Sequence, residues 1–287
     1  MKPPPFRYHR AASLPDALAV LAAAPESKLL AGGQSLMPML NFRLLRPSVL
    51  IDLNRVPELG GIAPIPGGLR IGALTRHAEV ERAPVMAARW PLLAHAMTHV
   101  AHATIRNRGT VGGSLCHADP AAEWPMLLLL AGAALSIASP RGDRTCTVAA
   151  FLSGALTTTL AADEILTALT LADLAPGTGW GFAEVARRHG DFALAAAAIT
   201  LRRANGVVAD ARIALAGVAE CALRVPAAEA ALAGRTPDTA LADAVAAVRA
   251  AVSPPRDLHA SGAYRRHLAG VVVERALRDA WNRAQPS

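Results

Sequence analysis

Apolar residues and alanines fill positions 17–24, and Ser13-Leu-Pro-Asp16 ahead of them starts a helix over 14–24: a hydroxyl cap, proline in the first turn and an acid three residues after the cap. The helix must stop before Pro25. Short apolar runs at 28–31 and 49–53 (the latter VLIDL) predict buried strands, and the first runs into Gly32-Gly33. Residues 61–63 and 69–73 flank the turn PIPGG and predict a hairpin. Thr75 is placed to cap a following helix, 90–103 is expected as one more, and 123–130 as a third. Runs at 134–138 and 145–148 surround the turn Pro-Arg-Gly-Asp, and 165–171 completes this set of strands. Residues 175–179, Ala-Pro-Gly-Thr-Gly, predict a linker.

Beyond it the pattern changes. Strands are expected at 181–187, 193–203 and 207–218, the last two joined by Asn205-Gly206 as a type I′ turn. Helices follow at 227–233, 238–251 and 260–283. The expectation is an α+β chain with a boundary at 177/178: an N-terminal domain, 1–177, with lobes of about 1–55 and 56–177, and a C-terminal domain, 178–287, of three antiparallel strands and helices. No unit of 20–50 residues repeats.

The hydrophobic fraction of 53% is inflated by alanine, and aromatics are only 4%, so aliphatic side chains must fill the core. Net charge is +7 with a sequence pI near 10.3, which raises the question of a polyanionic partner. The arginines are dispersed, in nothing longer than doublets, and no basic run is interleaved with aromatics, so no nucleic-acid partner is expected. Three scattered cysteines make neither a disulfide framework nor a Cys-x-x-Cys cluster site. The apolar run 126–131 is broken by Gly132 and is too short for a transmembrane segment, and no signal segment follows MKPPPFRYHR. A soluble cytoplasmic protein is expected.

Two stretches share one plan. Ala31-Gly-Gly-Gln-Ser-Leu36 and Thr110-Val-Gly-Gly-Ser114 each place a glycine pair before a hydrogen-bonding residue. Such a step permits positive φ and close approach of a ligand, and successive N–H groups can converge on an anion. Two such loops brought together would clasp a pyrophosphate; the alternative is two ordinary tight turns. Neither a Gly-x-Gly-x-x-Gly fingerprint nor a Walker A lysine is present, which argues against a Rossmann site and a nucleotide hydrolase. His95, His99 and His102 have helical spacing that can bind metal, without the glutamate of a His-Glu-x-x-His motif. Cys116-His117 could be a nucleophile and base, although sequence neighbours rarely face each other. Asp119 and Glu123 either cap a helix or accept a bond from a cofactor hydroxyl.

Taken in order, Ala31-Gly-Gly-Gln-Ser-Leu36, Pro38, Arg43-Leu44, Ile51-Asp-Leu53, Ile71-Gly-Ala-Leu-Thr75, Ile105-Arg-Asn-Arg-Gly-Thr-Val-Gly-Gly-Ser114, Ala118-Asp-Pro-Ala-Ala-Glu123, Arg187-Arg-His-Gly-Asp-Phe192 and Tyr264-Arg-Arg-His-Leu268 closely resemble the FAD-binding medium subunit of the molybdenum hydroxylases, typified by carbon monoxide dehydrogenase and xanthine dehydrogenase. The resemblance spans nearly the whole chain. It implies a two-lobed FAD-binding domain of the vanillyl-alcohol oxidase (PCMH) type, then the small C-terminal domain of these flavoproteins. It implies that Ala31, Gly32, Gly33, Gln34, Ser35 and Leu36 form one pyrophosphate loop and Thr110, Val111, Gly112, Gly113 and Ser114 the other. Glu123, with Asp119 nearby, would meet a cofactor hydroxyl; Ile165 and Leu166 would border the flavin or its chain; Phe192 would stack on or gate the ring.

Two departures stand out. Relatives often have lysine where this chain has Ala183-Glu-Val-Ala186, and many have histidine where it has Gln34. With no matched attachment residue, the FAD is expected to be non-covalent. No residue is assigned a catalytic role and no metal is expected on this chain. The molybdenum cofactor and [2Fe-2S] clusters would lie on a large and a small partner subunit, in a dimer of heterotrimers. Electrons would pass from those clusters through FAD to an outside acceptor. Two rivals share the fold: a stand-alone flavin oxidoreductase and a flavin-free scaffold subunit.

Overall fold

A computed structural model describes residues 2–285. Among the described residues three larger sheets follow one another along the chain, with a separate two-stranded ribbon between strands of the second. The first is parallel, in the order β1 (Arg7–Arg10), β3 (Val49–Asp52), β2 (Lys28–Leu30). Helix α1 (Leu14–Ala23) makes the crossover from β1 to β2, and its Ser13 cap accepts a bond from the Asp16 N–H at 3.3 Å. The short helix α2 (Leu36–Asn41) follows β2. Val49, Ile51 and Leu53 pack with Ala17 and Leu21 as a small core.

The second sheet is antiparallel, ordered β4 (Ile62–Ile65), β5 (Gly68–Gly72), β10 (Ile165–Ala172), β6 (Ala134–Ala138), β7 (Arg144–Thr147). Between β5 and β6 run α3 (His77–Arg82), α4 (Pro84–Arg89), α5 (Pro91–Met97), α6 (Ala103–Arg106), α7 (Val111–His117) and α8 (Glu123–Ala131). Between β7 and β10 lie α9 (Val148–Phe151), β8 (Leu152–Gly154) and β9 (Thr157–Thr158). Helix α8 is buried nearly all round, with Trp124 fully enclosed.

The third sheet is antiparallel, ordered β11 (Gly179–Val185), β12 (Ala195–Ala204), β13 (Val207–Ala216), β14 (Leu223–Arg224), and carries α10 (Pro226–Leu232), α11 (Pro237–Ala251) and α12 (Gly262–Arg283). Alanines dominate the inner strand β12, and aliphatic side chains of α12 cover one face while α8 packs on the other. Asn205 and Gly206 both take positive φ, 51° and 76°, as the type I′ turn demands.

Several expected elements are corrected. The helix expected over 90–103 is interrupted: α5 ends at Met97, the Thr98 hydroxyl donates back to the His95 carbonyl at 2.8 Å, and Ala101 adopts φ 48°. Thr75 is not a cap; its hydroxyl donates to the Gly61 carbonyl, and Arg76 holds the cap position of α3. Gly112-Gly113 do not make a loop ahead of α8 but form the first turn of their own helix, α7. The C-terminal sheet has a fourth, two-residue strand beyond the three expected.

Candidate cofactor site

The chain between β2 and α2 forms the first loop. Asn54 Nδ2 donates to the Ala31 carbonyl at 2.9 Å, and Gly33 takes φ 74°. Gly32 lies so close to the second loop that a Cβ there would sit 2.4 Å from the Arg108 carbonyl oxygen. Among the described residues, the backbone N–H groups of Gly32, Gly33, Gln34, Ser35 and Leu36 meet no acceptor. Unpaired backbone donors are costly unless a ligand or water takes them, and a run of them makes a concave anion site.

The second loop is organised differently. Thr110 caps α7, its hydroxyl accepting from the Gly113 N–H at 3.1 Å. The Val111 N–H donates to the Thr75 carbonyl, Gly112 to Ala73 and Ser114 to Thr110. The first two of these donors tie α7 to the chain just after β5, and the others are spent on its own cap. Gly112 and Gly113 still line the cleft with bare backbone, and beside them the Ser114 hydroxyl has no partner among the described residues. The loops touch: a Cβ on Gly113 would lie 3.7 Å from that of Ala31. Arg76 bridges them, donating to the Arg108 carbonyl and to Asn54, which itself holds Ala31.

Both loops open on one cleft of about 650 Å³, within the range of cofactor sites. Every residue singled out above as a cofactor contact lines it except Val111, which is fully buried in the core. Gly190, Asp191 and Phe192 border it from the third sheet's side, so N- and C-terminal halves both contribute. Phe192 and Leu156, 62% and 55% exposed, stand at its rim. The Asp119 carboxylate accepts from the Ala121 N–H at 2.9 Å, a local turn bond. Glu123, 6% exposed, is pushed up to about 7 by burial, with Asp119 adding to the rise. Behind it Glu184 of β11 is pushed up to about 8 by burial and by the charge of Glu123, and its Oε2 is sealed without a hydrogen-bond partner among the described residues.

The remaining chemical candidates dissolve. Burial pushes the Cys116 thiol up to about 12, so Cys116-His117 supplies no thiolate nucleophile. His95 and His99 pack against each other and Phe182, His99 also against His189, and no metal-holding group of His, Cys, Asp or Glu occurs among the described residues.

Residues 4–172 match the family described as the FAD binding domain in molybdopterin dehydrogenase, and residues 180–280 match the CO dehydrogenase flavoprotein C-terminal domain. The chain belongs to the FAD-binding medium subunits of the molybdenum hydroxylases. It is 40% identical to the nicotine 6-hydroxylase medium subunit of Paenarthrobacter nicotinovorans, over 98% of this chain and 99% of that one. It is 38% identical to the carbon monoxide dehydrogenase medium chain of Hydrogenophaga pseudoflava, over 99% of each. Its fold superimposes on a solved carbon monoxide dehydrogenase of that organism with a TM-score of 0.97, at 40% identity, covering 99% of this chain and 100% of the other. This medium subunit is thus part of an oxidoreductase, and in complexes of the CO dehydrogenase type the molybdenum cofactor and Fe–S clusters belong to other subunits.

The residues present fit FAD. Five free N–H groups suit the oxygens of a pyrophosphate, and the lack of side chains at Gly32 and Gly113 lets the two loops close on each other beside them. The cleft also contains residues that sequence reasoning passed over: His77, Leu156, Gly190 and Asp191. Gly190-Asp191 were within a quoted motif, so a signal existed; His77 had none beyond its place two residues after Thr75.

Proposed function

We propose that this medium subunit is the electron-transfer flavoprotein of a multi-subunit molybdenum hydroxylase, passing electrons from the [2Fe-2S] clusters of a small partner to an external acceptor. FAD, when bound, supplies the redox chemistry; this chain supplies position and electrostatics. The observation that carries the reading is the row of free N–H groups from Gly32 to Leu36 facing a cofactor-sized cleft. They would hold the pyrophosphate, with the Ser114 hydroxyl adding a donor from the second loop. Glu123 would accept from a cofactor hydroxyl, and the backbone at Ile165-Leu166 and the Phe192 ring would border the flavin. Backbone donors, rather than an attachment residue, support non-covalent binding.

The domain division at 177/178 is supported by the two family matches, which end at 172 and resume at 180. The partners are a molybdenum-binding large subunit and a [2Fe-2S] small subunit, by analogy with the relatives' names as medium chains, and the assembly is a dimer of heterotrimers. No helix among the described residues is long and apolar enough to cross a membrane, and three unpaired cysteines suit the cytoplasm.

The test is an absorbance spectrum of the purified chain before and after acid precipitation. Flavin bands that move to the supernatant are expected. A colourless chain that also fails to take up added FAD refutes the flavoprotein reading, and flavin left in the pellet refutes the non-covalent one.

A further inference from the structure

His77 begins α3 directly after the bridge residue Arg76. It is 5% exposed and is one of the residues that line the cleft. Its Nδ1 accepts a hydrogen bond from Trp124 Nε1 at 2.9 Å, and Trp124 is itself wholly buried. An indole N–H only donates, so Nδ1 must carry the lone pair and the ring proton must sit on Nε2. That Nε2–H has no partner among the described residues. The ring lies against Gly109: a Cβ there would come within 2.7 Å of Nε2. Gly109 in turn is the residue whose Cα a Cβ on Gly32 would strike at 2.8 Å. The edge of the imidazole carrying the unpaired donor therefore lies at the seam of the two glycine loops. Burial, with the Arg106 and Arg76 charges, lowers its pKa to about 4, so at neutral pH it offers one N–H and no added charge.

We infer that His77 is a cofactor-binding residue, whose Nε2–H donates to an anionic oxygen of the pyrophosphate held between the loops. This rests on the FAD reading above. A purely structural His77 would need only Nδ1, to satisfy Trp124. A cofactor-binding His77 needs the fixed tautomer as well, and Trp124 is the positioning residue that fixes it.

The experiment uses the full chain, stripped of flavin and titrated with FAD by flavin fluorescence. A ¹⁵N-histidine label reports on Nε2 in the unmutated protein. Saturating FAD is expected to shift the Nε2 resonance of His77 while it stays protonated. His77→Phe is expected to weaken FAD binding by about 10- to 100-fold, the span of one hydrogen bond to a charged acceptor. His77→Gln, which restores a donor at that reach, is expected to recover most of the affinity. Melting curves without FAD separate loss of fold from loss of affinity. If the unmutated chain takes up no FAD, the flavoprotein reading fails and this inference falls with it. If that chain binds FAD and the Nε2 resonance does not move, or folded His77→Phe binds as tightly, His77 is structural only and the inference is overturned.

Discussion

Replacing Glu184 by glutamine is expected to stabilise the protein at alkaline pH relative to acid pH. Glu184 is an acid whose folded pKa, about 8, lies above its ordinary value of 4.5, because burial and the neighbouring Glu123 both oppose its charge. Such a group costs nothing below pH 4.5, where it is protonated folded and unfolded alike. As pH rises from 4.5 the unfolded chain releases its proton and the folded one does not, so stability falls until about pH 8 and then levels off. The rise corresponds to about 4–5 kcal/mol lost at the alkaline end, at about 1.4 kcal/mol per pH unit. Glutamine keeps the shape and cannot ionise. Its buried amide is expected to cost about 1–3 kcal/mol at every pH, so the informative quantity is the change in the mutational effect between pH 4.5 and pH 8.5. His77 does not confuse that comparison. Its depressed pKa makes stability rise from about pH 4 to 6.5 in both proteins equally, and the term cancels. Urea titrations of the unmutated chain and Glu184→Gln at both pH values supply the four free energies. A mutational effect that is the same at both refutes a buried carboxyl carrying that penalty, and with it the coupling of Glu184 to the cleft residue Glu123.

Two further substitutions test the frame around the cleft. Gly32→Ala places a Cβ 2.4 Å from the Arg108 carbonyl, so the loops must part; FAD affinity is expected to fall at least about tenfold, with a loss of about 1–3 kcal/mol in stability by overpacking, and an unchanged affinity by flavin fluorescence contradicts the close seam. Arg265 of α12 is 5% exposed and donates to the carbonyls of Leu194 at 2.8 Å and Gly217 at 3.1 Å, and to the Asp257 carboxylate at 2.6 Å; Arg265→Met strands these acceptors and is expected to cost about 2–4 kcal/mol in a urea titration, and a cost under about 1 kcal/mol refutes the anchoring role.

The element types of this fold were largely legible because their causes are local. Ser13 caps α1, Asn205-Gly206 turns β12 into β13, and the long strands and helices of the C-terminal domain stand near their expected limits. The breaks were less legible. Nothing in the alanine-rich stretch from Trp90 to Ala103 announces that the Thr98 hydroxyl will bond back to His95 and that Ala101 will turn left-handed. The fourth strand of the third sheet, two residues long, leaves too little pattern to read.

The two glycine pairs show where local reading stops. Both are Gly-Gly before a hydrogen-bonding residue, and each invites the same interpretation. In the first, Gly33 is held at φ 74° and five N–H groups are left free. In the second, the donors are consumed by Thr75, Ala73 and Thr110, partners that include residues 36 and 39 positions upstream, and the glycines are there because Ala73 and Thr110 leave no room for a Cβ. A glycine required for donors and a glycine required for closeness are indistinguishable in sequence, since both merely lack a side chain. Only the accounting of where each backbone N–H goes separates them. The consequence is an unequal pair: the first loop leaves a row of free donors for the proposed pyrophosphate, and the second offers a wall of bare glycine backbone beside the Ser114 hydroxyl. That wall makes a donor from elsewhere at the seam useful, and His77 is the side chain the fold delivers there.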